Sequence, residues 1–304
     1  MSFIFRETPA LPRLAWLASV ESGRCTVEHG CLVETSRDFF VEGIWNGDFA
    51  TGCFDARESF FGSGAVRRGP DYVFVASSAT VDCLYYATHS GRVVCSNSLP
   101  FLLSALGDRL DPRNPSYARI NDSITAGLNV YERHIPTVAG GVHRLVHHNL
   151  VVRAGSASEE PKQLPPRFAS YKHYHDYLDE TLRGMIQNAK DPARQTPLRI
   201  LTTQSTGYDS TAINALARRY GIDLALSVAE PKERFGYYGG GKARTQSDSG
   251  ADICRILGIQ MATLDRRFFE KEPEMEFLYW AGTHNCLDMN LHEVTKHTGD
   301  GAVL

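Results

Sequence analysis

The stretch 198–220 most constrains how this chain can fold, because it joins an apolar run, a turn of small residues and an amphipathic pattern. The apolar run Leu198, Ile200 and Leu201 predicts a buried β-strand. Apolar residues at helical spacing then predict a helix, and these residues are Ala212, Ile213, Leu216, Ala217 and Tyr220. The hexapeptide 205–210 lies between the two patterns. The sequence therefore predicts a strand, a tight turn and a helix in direct succession.

This order of elements is typical of a loop that binds phosphate. The first N–H groups of a helix lack intrahelical partners and the helix dipole adds positive charge, so anions bind there. Gly207 would let the backbone approach an anion closely, and the Ser205 and Ser210 hydroxyls would donate to it. Asp209 would lie beside the phosphates, where a Mg²⁺ ion would balance its charge. The alternative is an ordinary connection in which a Ser or Asp caps the helix.

Strands and helices alternate in the second half of the chain. The residues 171–188 carry an apolar face that predicts a helix ahead of the hexapeptide. The residues after the hexapeptide predict a strand at 224–228, a helix at 248–257 and a strand at 260–264. Such alternation predicts an α/β domain with a parallel, doubly wound sheet, which binds ligands beyond the carboxyl ends of its strands. The hexapeptide and the loop after Val228 would then share one edge.

The first half of the chain predicts mainly β-structure. Short runs of β-forming residues alternate with Gly, Asp and Asn, which favours an α+β domain with stacked antiparallel sheets. The predicted strand-bearing segments are 48–56, 65–78, 83–97 and 140–153. Helices are predicted at 99–106 and within 115–129. A polar, proline-bearing segment follows and predicts a linker. The resulting domains are 1–155 and 169–304, with a linker at 156–168.

Composition narrows the classes of partner. A net charge of −3 in 304 residues gives no bulk attraction to nucleic acid or to a membrane surface. No apolar run has the length of a membrane span, and the N-terminal segment lacks the continuous apolar core of a secretion signal. The seven cysteines are scattered without a CxxC pair, as in a cytoplasmic protein. A cytoplasmic protein that binds neither membrane nor nucleic acid is expected.

The hexapeptide Ser205-Thr206-Gly207-Tyr208-Asp209-Ser210 resembles the SGGxDS signature of the PP-loop ATP pyrophosphatases, with Thr206 at the first glycine position. The first half resembles the amino-terminal glutaminase-like domain of the asparagine synthetase family in the order of several short features. These are Trp45 to Ala50, Phe54-Asp55, Tyr85-Tyr86, Gly91 with Val93 and Val94, Ser96 to Leu106, Ile135 to Thr137 and Gly140 to Leu145. A PP-loop follows them at the distance that this family shows.

The same resemblance also shows a departure. A working glutaminase of this family begins with a cysteine whose thiol attacks the amide and whose own amine is the base. This chain begins Met1-Ser2, and the stretches that would hold glutamine are not recognisable. The first domain is therefore interpreted as a degenerate Ntn-hydrolase-like domain that supports the second half without hydrolysing glutamine.

The resemblance implies an adenine nucleotide alpha hydrolase-like second domain that binds ATP and Mg²⁺. Residues 205–210 would hold the triphosphate, with Asp209 as the metal ligand, and the backbones near Thr203 and Val228 would flank the adenine. Lys242 and Arg244 would either close over pyrophosphate or lie on a solvated surface loop. The region that lines the acceptor pocket in the family suggests Asp288 and Asn290 as substrate contacts. The second acidic loop and the catalytic lysine of the family would lie beyond Leu304, so the second domain is expected to be incomplete.

The resemblance leads to one principal hypothesis and three alternatives. The principal one is an AMP- and pyrophosphate-forming amide ligase that adenylates a small carboxylate or peptide for attack by an amine. One alternative keeps this chemistry but uses it for β-lactam or lasso-type ring closure. The others are a nucleotide-binding module without catalysis and a PP-loop enzyme that modifies RNA bases. A homodimer is compatible with each of them.

Overall fold

The computed structural model describes residues 3–89, 91–228, 249–265, 271, 274, 291–298 and 302–303. Four predicted site residues lie outside the described residues, namely Lys242, Arg244, Asp288 and Asn290, as do the N-terminal residues Met1 and Ser2. The chain divides into two compact units. The first comprises Met1–Ala169 and Ala193–Thr196, and the second comprises Ser170–Pro192 and Pro197–Leu304. No helix in the described ranges is both long enough and apolar enough to cross a membrane.

The first unit contains two β-sheets. One consists of β1 (Phe3–Glu7), β2 (Trp16–Glu21), β3 (Arg24–His29), β8 (Leu84–His89), β9 (Arg92–Ser96), β10 (His134–Thr137) and β11 (Gly140–Leu145). Its strand order is β1-β3-β2-β9-β8-β11-β10, and only the β1–β3 pair is parallel. The other consists of β4 (Glu34–Thr35), β5 (Phe39–Trp45), β6 (Phe60–Arg68), β7 (Asp71–Val75), β12 (His148–Arg153) and β13 (Ser156–Pro161). It is antiparallel throughout, in the order β13-β12-β7-β6-β5-β4.

The two sheets pack face to face over a shared apolar core. Trp16 of the first sheet is fully buried and lies edge-on to Phe40 of the second, with ring centroids 5.0 Å apart. Helices α1 (Leu99–Leu106) and α2 (Tyr117–Asp122) cover the outer face of the seven-stranded sheet. The prediction of stacked antiparallel sheets with helix 99–106 is therefore confirmed for this unit.

Three sequence predictions in the first unit need correction. The segment 48–56 forms two short 3-10 turns, Phe49–Thr51 and Phe54–Ala56, instead of a strand. Their phenylalanines are buried against the outer face of the six-stranded sheet, which a strand there would not allow. The expected linker holds β13, because residues 156–161 pair with β12. Only the middle of 115–129 is helical, with α2 followed by a 3-10 turn at Ser123–Ala126.

The second unit alternates helices and strands. Its elements are α3 (Tyr171–Ala189), β14 (Arg199–Thr203), α4 (Tyr208–Ala217), β15 (Leu224–Val228), α5 (Ala251–Leu257), β16 (Met261–Leu264), α6 (Leu291–Thr298) and β17 (Ala302–Val303). The four strands are parallel and lie in the order β16-β15-β14-β17. The predicted parallel sheet is confirmed.

The strand order places β14 at a particular position. The chain runs from β14 to β15 and then to β16 on one side, whereas β17 pairs with β14 on the other side. The order of the strands therefore reverses at β14. In open parallel sheets, ligands bind in the crevice beyond the carboxyl end of the strand at such a reversal.

Candidate functional site

The 205–210 loop lies at the carboxyl edge of the parallel sheet, directly after β14. Thr203 is the last residue of β14 and pairs with Leu226 of the neighbouring β15. Gly207 takes an extended conformation (φ −72°, ψ 154°), and α4 begins at the next residue. The sequence predicted this strand, turn and helix, and the structure places the turn where the strand order reverses.

Two serine hydroxyls lie together inside the loop. The Oγ atoms of Ser205 and Ser210 are 3.2 Å apart, and the Ser205 N–H donates to Ser210 Oγ at 3.3 Å. The Gly207 N–H donates to Ser205 Oγ at 3.1 Å. These short contacts close the loop into a compact turn with both hydroxyls on its inner side.

The start of α4 carries the free N–H groups that an anion would need. The first helical hydrogen bond runs from Thr211 N to Gly207 O at 3.3 Å, so the N–H groups at 208–210 precede it. The N-cap is a glycine, and no side chain caps the helix. Tyr208 is 94% exposed, and the Asp209 carboxylate is exposed in the first turn. The helix therefore presents unshielded donors together with one carboxylate.

Two buried amides support the loop from behind, and the sequence did not point to them. Gln204 is 2% exposed and Asn214 is completely buried. The Asn214 Nδ2 group donates to Gln204 Oε1 at 2.7 Å and to the Thr203 carbonyl oxygen at 3.0 Å. Helical periodicity had assigned Ile213 to the buried face, yet Ile213 is 41% exposed. The only feature of the sequence that could have indicated the buried amide is the position of Asn214 between apolar residues, and periodicity alone predicts that a polar residue there is exposed.

Among the described residues, no group of three or more His, Cys, Asp or Glu side chains is arranged to hold a metal ion. The acidic residue in the first turn of α4 is Asp209. Mg²⁺ is commonly bound by one or two carboxylates together with substrate phosphates, and it retains several waters. The donor set of one carboxylate and two nearby hydroxyls thus fits Mg²⁺ that arrives with a phosphate ligand, rather than a resident ion.

The remaining predicted positions fall into two groups. Thr203 and Val228 are the last residues of adjacent strands, so they share the sheet edge with the 205–210 loop. The four outlying positions at 242, 244, 288 and 290 are outside the described residues, and their roles stay predictions. The loop residues Ser205, Gly207 and Ser210, by contrast, are joined to one another by hydrogen bonds.

The chain was compared with known proteins at the level of sequence. No protein-family model matches it. No curated protein sequence matches it significantly either.

Proposed function

We propose that this chain binds Mg²⁺-ATP and activates a carboxylate as an acyl-adenylate for attack by an amine, in the manner of asparagine synthetases. One observation carries the proposal: an uncapped helix start with two inward hydroxyls, at the carboxyl edge of a parallel sheet where the strand order reverses. The resemblance of residues 205–210 to the PP-loop signature supports ATP over other phosphate compounds.

In this proposal, a carboxylate oxygen of the substrate attacks the α-phosphorus of ATP. The bond between the α-phosphorus and its bridging oxygen breaks, and pyrophosphate leaves with the electron pair. An amine then attacks the acyl carbon, loses a proton and releases AMP. The chain's own part is electrostatic: the N–H groups at 208–210 and the hydroxyls of Ser205 and Ser210 stabilise the charge that gathers on the departing pyrophosphate.

Asp209 would be the chain's own ligand to the metal. A divalent cation held there would neutralise part of the negative charge of the phosphates. The carboxylate lies in the first turn of α4, so it would face the same phosphates as the free N–H groups. The Thr203 and Val228 backbones at the neighbouring strand ends would then flank the base.

Exchange of labelled pyrophosphate into ATP tests the proposal. The full chain should bind Mg²⁺-ATP in calorimetry and should catalyse exchange that depends on an added carboxylic acid. A panel of amino acids and short peptides would identify the acid. Failure to bind Mg²⁺-ATP would refute the proposal, and exchange that required RNA would favour base modification instead.

A second candidate is a nucleotide-binding module without catalysis. Thr206 occupies the position at which the signature has its first glycine, and it is an exposed residue in the loop. A side chain at this position leaves less room beside the loop backbone for a phosphate group that must move during the reaction. Binding of Mg²⁺-ATP without exchange for any acid of the panel would favour this second function.

A further inference from the structure

A continuous series of side-chain hydrogen bonds runs from β14 through α4 to the turn of the loop. Thr202 Oγ1 donates to Asn214 Oδ1 at 2.7 Å, and Asn214 Nδ2 donates to Gln204 Oε1 at 2.7 Å. Gln204 Nε2 then donates to Thr211 Oγ1 at 3.1 Å, and Thr211 Oγ1 donates to the Gly207 carbonyl oxygen at 2.7 Å. We call Thr202, Asn214, Gln204 and Thr211 the amide relay.

Two backbone carbonyls fix the direction of the amide relay. The Thr203 carbonyl oxygen can only accept, so the Asn214 NH₂ group must face it, at 3.0 Å. The Ser205 carbonyl oxygen likewise requires the Gln204 NH₂ group, at 2.6 Å. The Gln204 side-chain oxygen Oε1 then accepts the remaining hydrogen of the Asn214 NH₂ group. Each amide therefore has one allowed orientation, and neither can flip without leaving a buried group unpaired.

The relay ends on the atom that defines the start of α4. The Gly207 carbonyl oxygen accepts from the Thr211 N–H, from the Thr211 hydroxyl and, at 3.3 Å, from the Ser210 hydroxyl. The Gln204 amide also lies 3.4 Å from Ser210 Oγ, one of the two inward hydroxyls. The relay thus sets the position of the Gly207 peptide and of the Ser210 hydroxyl together.

From this arrangement we infer that Gln204 and Asn214 are positioning residues, which hold the 205–210 loop in the shape that receives the triphosphate of a nucleotide. The inference rests on the proposed nucleotide binding and adds to it the device that determines selectivity for a triphosphate. The two amide side chains are buried, so a ligand at the surface of the loop would not contact them directly. They act through Thr211 and through the Ser205 carbonyl group.

The fixed order of donors and acceptors in the amide relay can be tested with substitutions of nearly equal size and shape. Gln204→Glu replaces a donor with a carboxylate oxygen that faces the Ser205 carbonyl, and Asn214→Asp does the same toward the Thr203 carbonyl. Thr211→Val removes only the last hydroxyl of the relay, at a half-buried position where folding should tolerate the change. Matched controls lie in the first unit: Gln195→Glu, at an exposed glutamine that also donates to a backbone carbonyl, and Thr88→Val, at an exposed strand threonine.

The readout is the ratio of the affinities for Mg²⁺-ATP and AMP, measured by calorimetry on the full chain, with folding checked by circular dichroism. A loop that is correctly shaped for three phosphates favours ATP, so we expect Gln204→Glu, Asn214→Asp and Thr211→Val to lower this ratio by about tenfold. The two control variants should keep the ratio of the unmodified chain. If these residues only stabilised the fold, the variants would lose affinity for Mg²⁺-ATP and for AMP to the same extent, and the ratio would not change.

The outcomes separate the two proposals. If the unmodified chain binds neither nucleotide, the proposed function is wrong. If it prefers ATP and the relay variants keep that preference, the nucleotide site stands and the positioning role is refuted. Should the two acidic variants fail to fold, Thr211→Val alone decides: a lowered ratio supports the inference and an unchanged one overturns it.

Discussion

Gly250 lies directly against Gln204, because a Cβ atom on Gly250 would come within 2.3 Å of Gln204 Cγ and 2.8 Å of the Gln204 carbonyl oxygen. The Gly250 N–H donates to Ser227 Oγ at 2.9 Å, and the preceding Ser249 forms a β-bridge with Ser205. The residues just before α5 therefore pack on the residue just before the 205–210 loop. The loop is held from the sheet side as well as from α4.

We expect Gly250→Ala to destabilise the second unit by about 1–3 kcal/mol, since the new methyl group must displace backbone and a buried amide. It should also weaken Mg²⁺-ATP binding, because Gln204 supports the loop. Gly258→Ala is the matched control: no atom lies within 4 Å of its Cβ position, but its φ of +70° costs about 1 kcal/mol with alanine. Denaturant unfolding and calorimetry check both; equal losses of ATP affinity would contradict the role of Gly250.

Asp209→Asn should lower the affinity for Mg²⁺-ATP by about tenfold, the cost of one lost metal–carboxylate contact of about 1.4 kcal/mol. Affinity for ATP without Mg²⁺ should stay equal or rise, because a negative charge beside the phosphates is removed. Asp252→Asn is the control, since Asp252 is likewise an exposed acid in the first turn of a helix after a parallel strand. Calorimetry with and without Mg²⁺ distinguishes them, and an unchanged Mg²⁺ dependence in Asp209→Asn would remove its assigned role.

Local patterns were sufficient to predict the core of the second unit. The strand ending at Val228 and the helix starting after Gly207 follow from short-range periodicity, and both are present. The buried face of α4 was predicted less well. Asn214 is buried because it forms hydrogen bonds with Thr202 on β14 and with Gln204, and the spacing of apolar residues does not reveal such contacts. A buried amide pair carries no apolar signal.

The first unit shows a different limit of sequence reasoning. Five strands occur before residue 46, but none of them was predicted. Strand β2 has three consecutive buried residues at its start, and β5 mixes buried and half-buried positions around Gly43, so neither shows clean alternation. Phe49 and Phe54 lie five residues apart, so a strand would send them to opposite faces, whereas the two 3-10 turns bury both against one sheet. These elements form because of pairing between strands that are far apart in the sequence, which local patterns do not reveal.

Arg194 and Glu34 form a buried ion pair within the first unit, and breaking it should be costly. The Arg194 side chain is 1% exposed, donates to Glu34 and to the Gly43 carbonyl oxygen at 2.7 Å, and lies 4.4 Å from the Phe49 ring centroid. Arg194→Met would leave the Glu34 carboxylate buried without its cation, which costs about 3–5 kcal/mol.

The exposed pair of Arg119 and Glu132 is the control for this prediction. Arg119→Met should cost about 1 kcal/mol or less, because surface ion pairs contribute little. Urea unfolding of the first unit measures both variants. The double variant Arg194→Met with Glu34→Gln should recover part of the loss, and no recovery would show that the packing of Arg194 on Phe49 dominates.

Lys162 should make the first unit more stable as the pH rises from about 8 to about 10.5. Burial lowers the pKa of Lys162 from 10.5 to about 8, against the opposing effect of Asp55. Above pH 8 the folded chain has released this proton while the unfolded chain still binds it, so the contribution of Lys162 to stability increases with pH. Burial raises the thiol pKa of Cys25, Cys83 and Cys95 above 9.0, so these cysteines act against the increase. Lys162→Met should remove the contribution of Lys162, so its stability should fall relative to that of the unmodified chain between pH 8 and 10.5; it also loses the hydrogen bond to the Ala76 carbonyl oxygen at 2.7 Å. Exposed Lys172→Met should keep the profile of the unmodified chain; identical pH profiles for the two variants would contradict the prediction.

Glu42 should act in the opposite direction at lower pH. Burial raises the pKa of Glu42 from 4.5 to about 8; Asp82 raises it further, while hydrogen bonds from Ser63 and Asn97 lower it. The folded chain keeps this proton between pH 4.5 and 8 and the unfolded chain loses it, so stability falls with rising pH by up to about 1.4 kcal/mol per pH unit.

Glu42→Gln should therefore flatten the pH dependence of unfolding of the first unit between pH 5 and about 8, where the wild-type chain loses stability. A smaller slope of the same sign should persist, because burial also raises the pKa of Asp82. Glu160→Gln, at an exposed position on β13, should leave the full slope in place. Urea unfolding at half-unit pH steps measures all three proteins. A slope in Glu42→Gln equal to that of Glu160→Gln would show that the Glu42 carboxyl ionises in the folded chain as it does in the unfolded one.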